Sequence, residues 1–195
     1  YDAALHKAEK YLKAENIYFQ EGINEELGAT AVWGTQQVNM YKGAKYDGVF
    51  GIWYGKGPGV DRSCDVLRHA NAAGTSPYGG VLVIAGDDHA CKSSTIPHQS
   101  DHSFYSTMLP MLYPANMQEF VEYGLLGIAM SRYSGCWTAF KVTSETAEST
   151  GVVDLNREHR KILIPGDDEF EMPEGGVHIR PADVWREQDY RLQRY

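Results

Sequence analysis

The sequence predicts an α/β domain: a mostly parallel, doubly wound sheet with helices on both faces. Three observations carry that expectation. Over residues 1–150, apolar runs of strand character alternate with stretches of helical periodicity. The run GGVLVIAG (79–86) has no polar alternation, as expected of a strand covered on both faces. And the glycine-rich turn GKGPG and the polar stretch GDDHACKSST each follow directly on a strand-like run, as connections on one edge of a parallel sheet do.

Taken in order, Ala4, Leu5, Ala8, Tyr11 and Leu12 fall at helical spacing and predict a helix over 2–14. IYFQ (17–20) reads as a short strand. Leu27, Ala31, Val32, Thr35 and Val38 then form one stripe of a helix. Asn24 is its N-cap, and Glu25 and Glu26 stand in the first turn, where the helix dipole favours acids. YDGVFGIWYG (46–55) reads as a strand that runs into the glycine loop GKGPGVDRS (55–63), and residues 60–74 as a helix stopped by Gly74. Strand 79–86 leads into GDDHACKSSTIPHQSDH (86–102), the densest polar stretch of the chain. A short apolar piece (108–114), a helix (115–133) and a buried strand, CWTAFKVTSE (136–145), complete the domain. Beyond Thr150 prolines, charges and isolated β pairs dominate, as in DDEFEMPEGG (167–176). Residues 151–195 therefore read as a linker or excursion towards a next domain, not as a second core.

The 195 residues suffice for one sizeable domain, and 43% apolar and 12% aromatic residues furnish a real core. A net charge of −8 argues against nucleic acid or an anionic membrane as partner, because both call for clustered Lys and Arg. Cys64, Cys91 and Cys136 form no C-x-x-C pair, which fits a reducing, cytoplasmic setting and supplies no zinc or iron–sulfur framework. No apolar run reaches the roughly 20 residues of a membrane span. The chain opens inside a helical pattern with neither an initiator Met nor a signal peptide, which reads as a piece of something longer.

The functional readings of the polar stretches stay open at this level. Asp87, Asp88, His89, His98, Asp101 and His102 suggest a metal site, and His98 and His102 have H-x-x-x-H spacing. Pro97 and the Ser and Gln around it argue against a helix there, however, and the glutamate of an HExxH motif is missing. A metal-dependent hydrolase using Asp87, His89, His98 and His102 is thus one alternative; a polar loop facing a cofactor cleft is the preferred one. GKGPG is either a phosphate cradle or a tight strand-to-helix turn, and it matches neither established phosphate-binding glycine pattern. Glu25 and Glu26 are either solvated helix-start acids or, leading a helix buried on all faces, desolvated ones. Cys91 has His89 and His98 near it in sequence, but nothing ties either to it as a base.

EGINEELGATAVWGTQQVNMYKGAKYDGVFGIWYGKGPGVDRSCDVLRHANAAGTSPYGGVLVIAGDDHACKSST resembles the thiamine-pyrophosphate-dependent 2-oxoacid:ferredoxin oxidoreductases, nearest to the large fused bacterial indolepyruvate type. WYGKGPGVDR and AGDDHACKSST are its most specific parts; the likeness runs over 1–150, with fainter matches in EFEMPEGGVHIR. The resemblance implies the pyrimidine-type domain of the thiamin diphosphate-binding fold, with its first strand missing. It implies that Glu25, in the family's Asn-Glu pair with Asn24, is the catalytic glutamate that hydrogen-bonds the aminopyrimidine ring, and Gly34 falls where the family's helix carries a glycine. Asp87, Asp88, His89, Ser93 and Ser94 match the loop facing cofactor and substrate. Lys56, with Gly57 beside it, stands where relatives carry Met-Lys. No metal ligand falls on this chain. The Mg2+ and diphosphate of thiamine pyrophosphate, the iron–sulfur clusters and coenzyme A would belong to domains these residues do not contain, so the chain alone is expected to be inactive.

The implied parent reaction is oxidative decarboxylation of an aryl 2-oxoacid to an acyl-CoA with reduction of ferredoxin. The implied partners are the parent's remaining domains, ferredoxin, the 2-oxoacid and a second copy of the chain, with no nucleic acid and no membrane. Another 2-oxoacid, the hydrolase above, or a non-catalytic domain whose cleft is lost are the alternatives.

Overall fold

The computed structural model describes residues 2–156, 161–166, 169 and 176–179. Four parallel strands, β1 (Phe50–Lys56), β2 (Gly80–Asp87), β3 (Met111–Leu112) and β4 (Thr138–Thr143), lie in the order β1-β2-β4-β3. The side-chain period of two sorts β2 between two cores. Val81, Val83 and Ala85 meet Ala139, Trp53 and the apolar sides of α3 (Glu25–Thr35), α4 (Gly57–Ala73) and α5 (Asp101–Ser106) on one face. Leu82 and Ile84 meet Phe140, Val142 and α6 (Met117–Ser134) on the other. This is the doubly wound α/β arrangement that the uninterrupted apolar run of β2 predicts.

The sequence punctuation acts where expected. Asn24 Oδ1 accepts from Leu27 N–H at 2.8 Å and Asn116 Oδ1 from Glu119 N–H at 3.0 Å, capping α3 and α6. Gly74 and Gly135, at φ +88° and +75°, end α4 and α6 in conformations that L side chains resist. α4 begins three residues before the predicted 60, inside the glycine loop itself. Pro58, which lacks an N–H, stands in the first turn, where that donor has no intrahelical use.

Two expectations need correction. Residues 2–14 are two short helices, α1 (Asp2–Lys7) and α2 (Glu9–Ala14), broken at Ala8, with no buried residue to hold them in one line. IYFQ is not a strand: it joins no ladder among the described residues, and Ile17 and Tyr18 are exposed. A strand needs a ladder, and propensity without one leaves coil. Between the two readings left open for Glu25 and Glu26, the structure takes the solvated one: in α3 Ala29 alone is fully covered, and Glu25 is exposed. α5 and α7 (Ser144–Glu148) are helices that the sequence does not announce. Of the tail, residues 167–176 lie mostly outside the described set. Val177 and Ile179, however, are buried, and Ile179 N–H donates to Thr75 O at 2.9 Å. No helix among the described residues is long and apolar enough to cross a membrane.

Candidate functional site

Because the strands are parallel, β1, β2 and β4 deliver Lys56, Asp87 and Thr143 to one edge. The loop after β2 leads to α5 on the first face, and the connection after β3 leads to α6 on the second. The chain thus parts on either side of β4, the place where open α/β sheets take ligands.

Asp87 and Asp88 have opposite fates. Asp87 is the last paired residue of β2 and shares the face of Val81, Val83 and Ala85, so its carboxylate turns inward, with its residue 1% exposed. It accepts from Ser100 N–H at 2.8 Å and from Ser100 Oγ at 2.7 Å. Lys141 Nζ lies 3.5 Å from it on the neighbouring strand. Asp88 is beyond the ladder and turns into the loop. Its two oxygens accept from the N–H groups of Lys92 at 2.8 Å, Ser93 at 2.6 Å and Ser94 at 3.1 Å. The Ser93 and Lys92 donors hold the Asp88 carboxyl below the usual aspartate range. Both carboxylates thus have their oxygens engaged within the chain and serve the loop's architecture.

The first turn of α4 is a seat for side chains arriving from two other segments. A Cβ on Gly57 would collide with the His98 ring, and one on Gly59 would lie 2.5 Å from Glu25 Cγ. His98 Nε2 donates to Asp61 Oδ2 at 2.7 Å, and its buried Nδ1 has no hydrogen-bond partner and lies 3.9 Å from Asp87 Oδ1. Asp61 also accepts from Ser103 Oγ at 2.8 Å. Burial tends to raise the Asp61 carboxyl, but the His98 and Ser103 hydrogen bonds outweigh it and hold the group low. Lys56 Nζ fastens the loop from the β1 side, donating to Ser93 O at 2.6 Å. The GKGPG turn is therefore a strand-to-helix turn whose bare Cα atoms admit Glu25 and His98. Gly57→Ala should expel the His98 ring, lower stability by about 1–3 kcal/mol and speed amide exchange over residues 89–97. A melting temperature equal to wild type would show that the ring does not need that seat.

The remaining sequence candidates divide clearly. Asn24 has its side-chain oxygen committed to the cap of α3. His89 and Ser93 are exposed on the loop, while Ser94 Oγ is buried without a partner. His102 is exposed on α5, away from a shared helix face with His98, which precedes that helix. Among the described residues no group of three His, Cys, Asp or Glu side chains is set to hold an ion, so the hydrolase set Asp87, His89, His98 and His102 does not converge. Cys91, at φ +57°, gives its Sγ–H to Ser94 O at 2.7 Å and meets no base among the described residues. Two cavities, of about 620 Å3 beside Lys45, Tyr78 and Arg132 and about 460 Å3 along the outer side of α6, lie away from this edge. Glu25 is the exception among the acids of the edge. Its side chain is exposed and has no hydrogen-bond or ion-pair partner among the described residues.

Sequence reading missed Lys141. Its side chain is 4% exposed, its Nζ donates to Asp101 Oδ2 at 2.5 Å, and it lies 5.0 Å from the centre of the Tyr113 ring. A lone lysine inside the apolar strand TAFKVT was the available signal. Burial works against ionisation of Asp101, but the Lys141 hydrogen bond and charge hold its carboxyl low. Asp61, Asp88 and Asp101 all sit below their ordinary value of 3.8 in the fold. Their contribution to stability is complete above that value and is lost as pH falls through the lowered ones. Melting temperatures should therefore fall chiefly below about pH 4, and Asp88→Asn should flatten that fall. A decline spread evenly from pH 7 downward would contradict this.

With the edge laid out, comparison with known proteins gives one likeness: the indolepyruvate oxidoreductase subunit IorA of Methanothermobacter marburgensis, 25% identical over 145 residues. The chain is a distant relative of an oxidoreductase subunit. The aligned part is 74% of this chain and 22% of IorA, so the chain spans less than a quarter of that relative. No protein-family profile matches the chain, and no solved structure matches it.

Proposed function

We propose that this chain is the pyrimidine-binding part of a thiamine-pyrophosphate-dependent 2-oxoacid oxidoreductase, specifically an indolepyruvate (arylpyruvate) ferredoxin oxidoreductase. The observation that supports it best is the Glu25 carboxylate, without a partner among the described residues, at a strand-end edge whose two aspartates have their oxygens already engaged. A ring nitrogen that can exchange a proton with a carboxyl group fits that unpaired side chain. Ile23 and Leu27, 92% and 50% exposed, flank Glu25 and suit an edge that another domain covers. The likeness to an indolepyruvate oxidoreductase subunit supports the same reading.

Thiamine pyrophosphate, bound with Mg2+, supplies the carbon nucleophile that decarboxylates 2-oxoacids. Glu25 would share one proton with the aminopyrimidine ring nitrogen, its carboxyl donating to the bare nitrogen and its carboxylate accepting once the proton sits on the ring. Asn24 fixes the start of α3 and so the origin of the Glu25 side chain, while Lys56 and Asp88 hold the loop carrying His89 and Ser93 at the rim. Diphosphate, coenzyme A, the iron–sulfur clusters and ferredoxin fall to other parts of the complete protein. Glu25→Gln in that protein tests the role: 2-oxoacid-dependent ferredoxin reduction should collapse while folding persists. Near wild-type turnover would remove Glu25 from the mechanism, and a preference for small aliphatic over aryl oxoacids would remove the finer substrate assignment.

A further inference from the structure

Resting on the reading of Glu25 above, we propose that Trp53 is a positioning residue for it. The Trp53 indole N–H sets where the first turn of α3 sits on the sheet, and hence where the Glu25 carboxylate emerges. Trp53 lies in β1, is 4% exposed, and donates from Nε1 to the Glu25 main-chain oxygen at 3.0 Å. A carbonyl oxygen has two lone pairs. The Glu25 oxygen can serve the helix with one and receive the indole with the other, which ties helix to strand at one residue.

The surroundings of the indole are shaped for that bond. Residues 53 and 55 share a face of β1, and a Cβ on Gly55 would stand 2.7 Å from Trp53 Cη2, so the ring lies back along the strand over a bare position. From α3, a Cβ on Gly28 would meet Nε1 at 3.5 Å, ordinary contact, which brings the helix down onto the donor end of the ring. Gly59 then clears the path of the side chain, since a Cβ there would reach Glu25 Cγ. One residue therefore has its main chain held from β1 and its side chain aimed across α4. Filling this space takes only an aromatic ring; holding the Glu25 carbonyl takes the N–H. That difference separates positioning from packing.

The test removes the N–H and keeps the ring. Trp53→Phe is the simple variant; replacement of Trp53 by benzothienylalanine, which has the indole's shape with sulfur in place of N–H, serves where Phe leaves a cavity that unfolds the chain. In the chain itself, amide resonances of α3's first turn should shift and exchange faster, with those of β2 and β4 unmoved. In the complete protein, kcat should fall about tenfold with KM for the 2-oxoacid within about twofold, and Glu25→Gln should leave the Trp53 indole N–H resonance in place, because its bond is to main chain. Unmoved α3 resonances in the isosteric variant would overturn the proposal whatever turnover does. Shifted resonances together with a fully active Glu25→Gln enzyme would uphold the placement of α3 and instead remove Glu25 from the chemistry.

Discussion

Lys141→Met should destabilise the chain by about 3–5 kcal/mol, more than any surface change. Methionine matches the length of the lysine stem but leaves Asp87, whose side chain is fully buried, without the Nζ that lies 3.5 Å away. Asp101 loses its 2.5 Å partner too, but its side chain is 37% exposed and water can replace the lysine there. The cost is therefore concentrated on Asp87. Adding Asp87→Asn should recover part of the loss, because the amide oxygen can still accept from Ser100 while no charge stays buried. Urea unfolding of the two single variants and the double variant measures the coupling. A Lys141→Met loss below about 1 kcal/mol, in the range of exposed pairs, would mean that the interior pair is inessential.

Glu25→Gln carries the largest expected effect on activity, a fall of about 10^2–10^4 in turnover. The substitution is selective because of where Glu25 stands. It is exposed, makes no side-chain hydrogen bond or ion pair among the described residues, and its main-chain bond to Trp53 is indifferent to the side chain. Folding should lose only the favourable placement of an acid at a helix N-terminus, about 0.3–1 kcal/mol. A large drop in turnover with a small shift in melting temperature is thus the expected signature. Proportionate loss of both would assign Glu25 to structure instead.

What was legible in the sequence was local or periodic. Asn24, Asn116, Gly74 and Gly135 punctuate helices through contacts with their own neighbours, and the apolar run of β2 declares two covered faces without reference to its partners. What was not legible depends on pairing. IYFQ has strand composition but no ladder to join. Asp87 and Asp88 are indistinguishable as neighbours, and only the final β2–β4 pair, Asp87 with Thr143, decides which turns inward. Lys141 is discounted by any hydropathy reading, because its burial makes sense only once α5 brings Asp101 against β4. The two seats on α4 are invisible for the same reason. GKGPG invites a phosphate, whereas its glycines answer to side chains some 30–40 residues distant in the chain, Glu25 and His98.

The strand order carries a consequence for how the domain comes to exist. β1, α4 and β2 form a contiguous unit from Phe50 to Asp87, whose two strands can pair as soon as both are made. β4 is the last of the described strands in sequence, yet it stands between β2 and β3. Until Thr143 has left the ribosome, β2 therefore presents an unpaired edge, and β3, only two residues long, has nothing to pair with. The central strand is threaded in after both of its neighbours have been made, which makes the nascent chain dependent on slow, long-range closure and on protection of that edge while it waits.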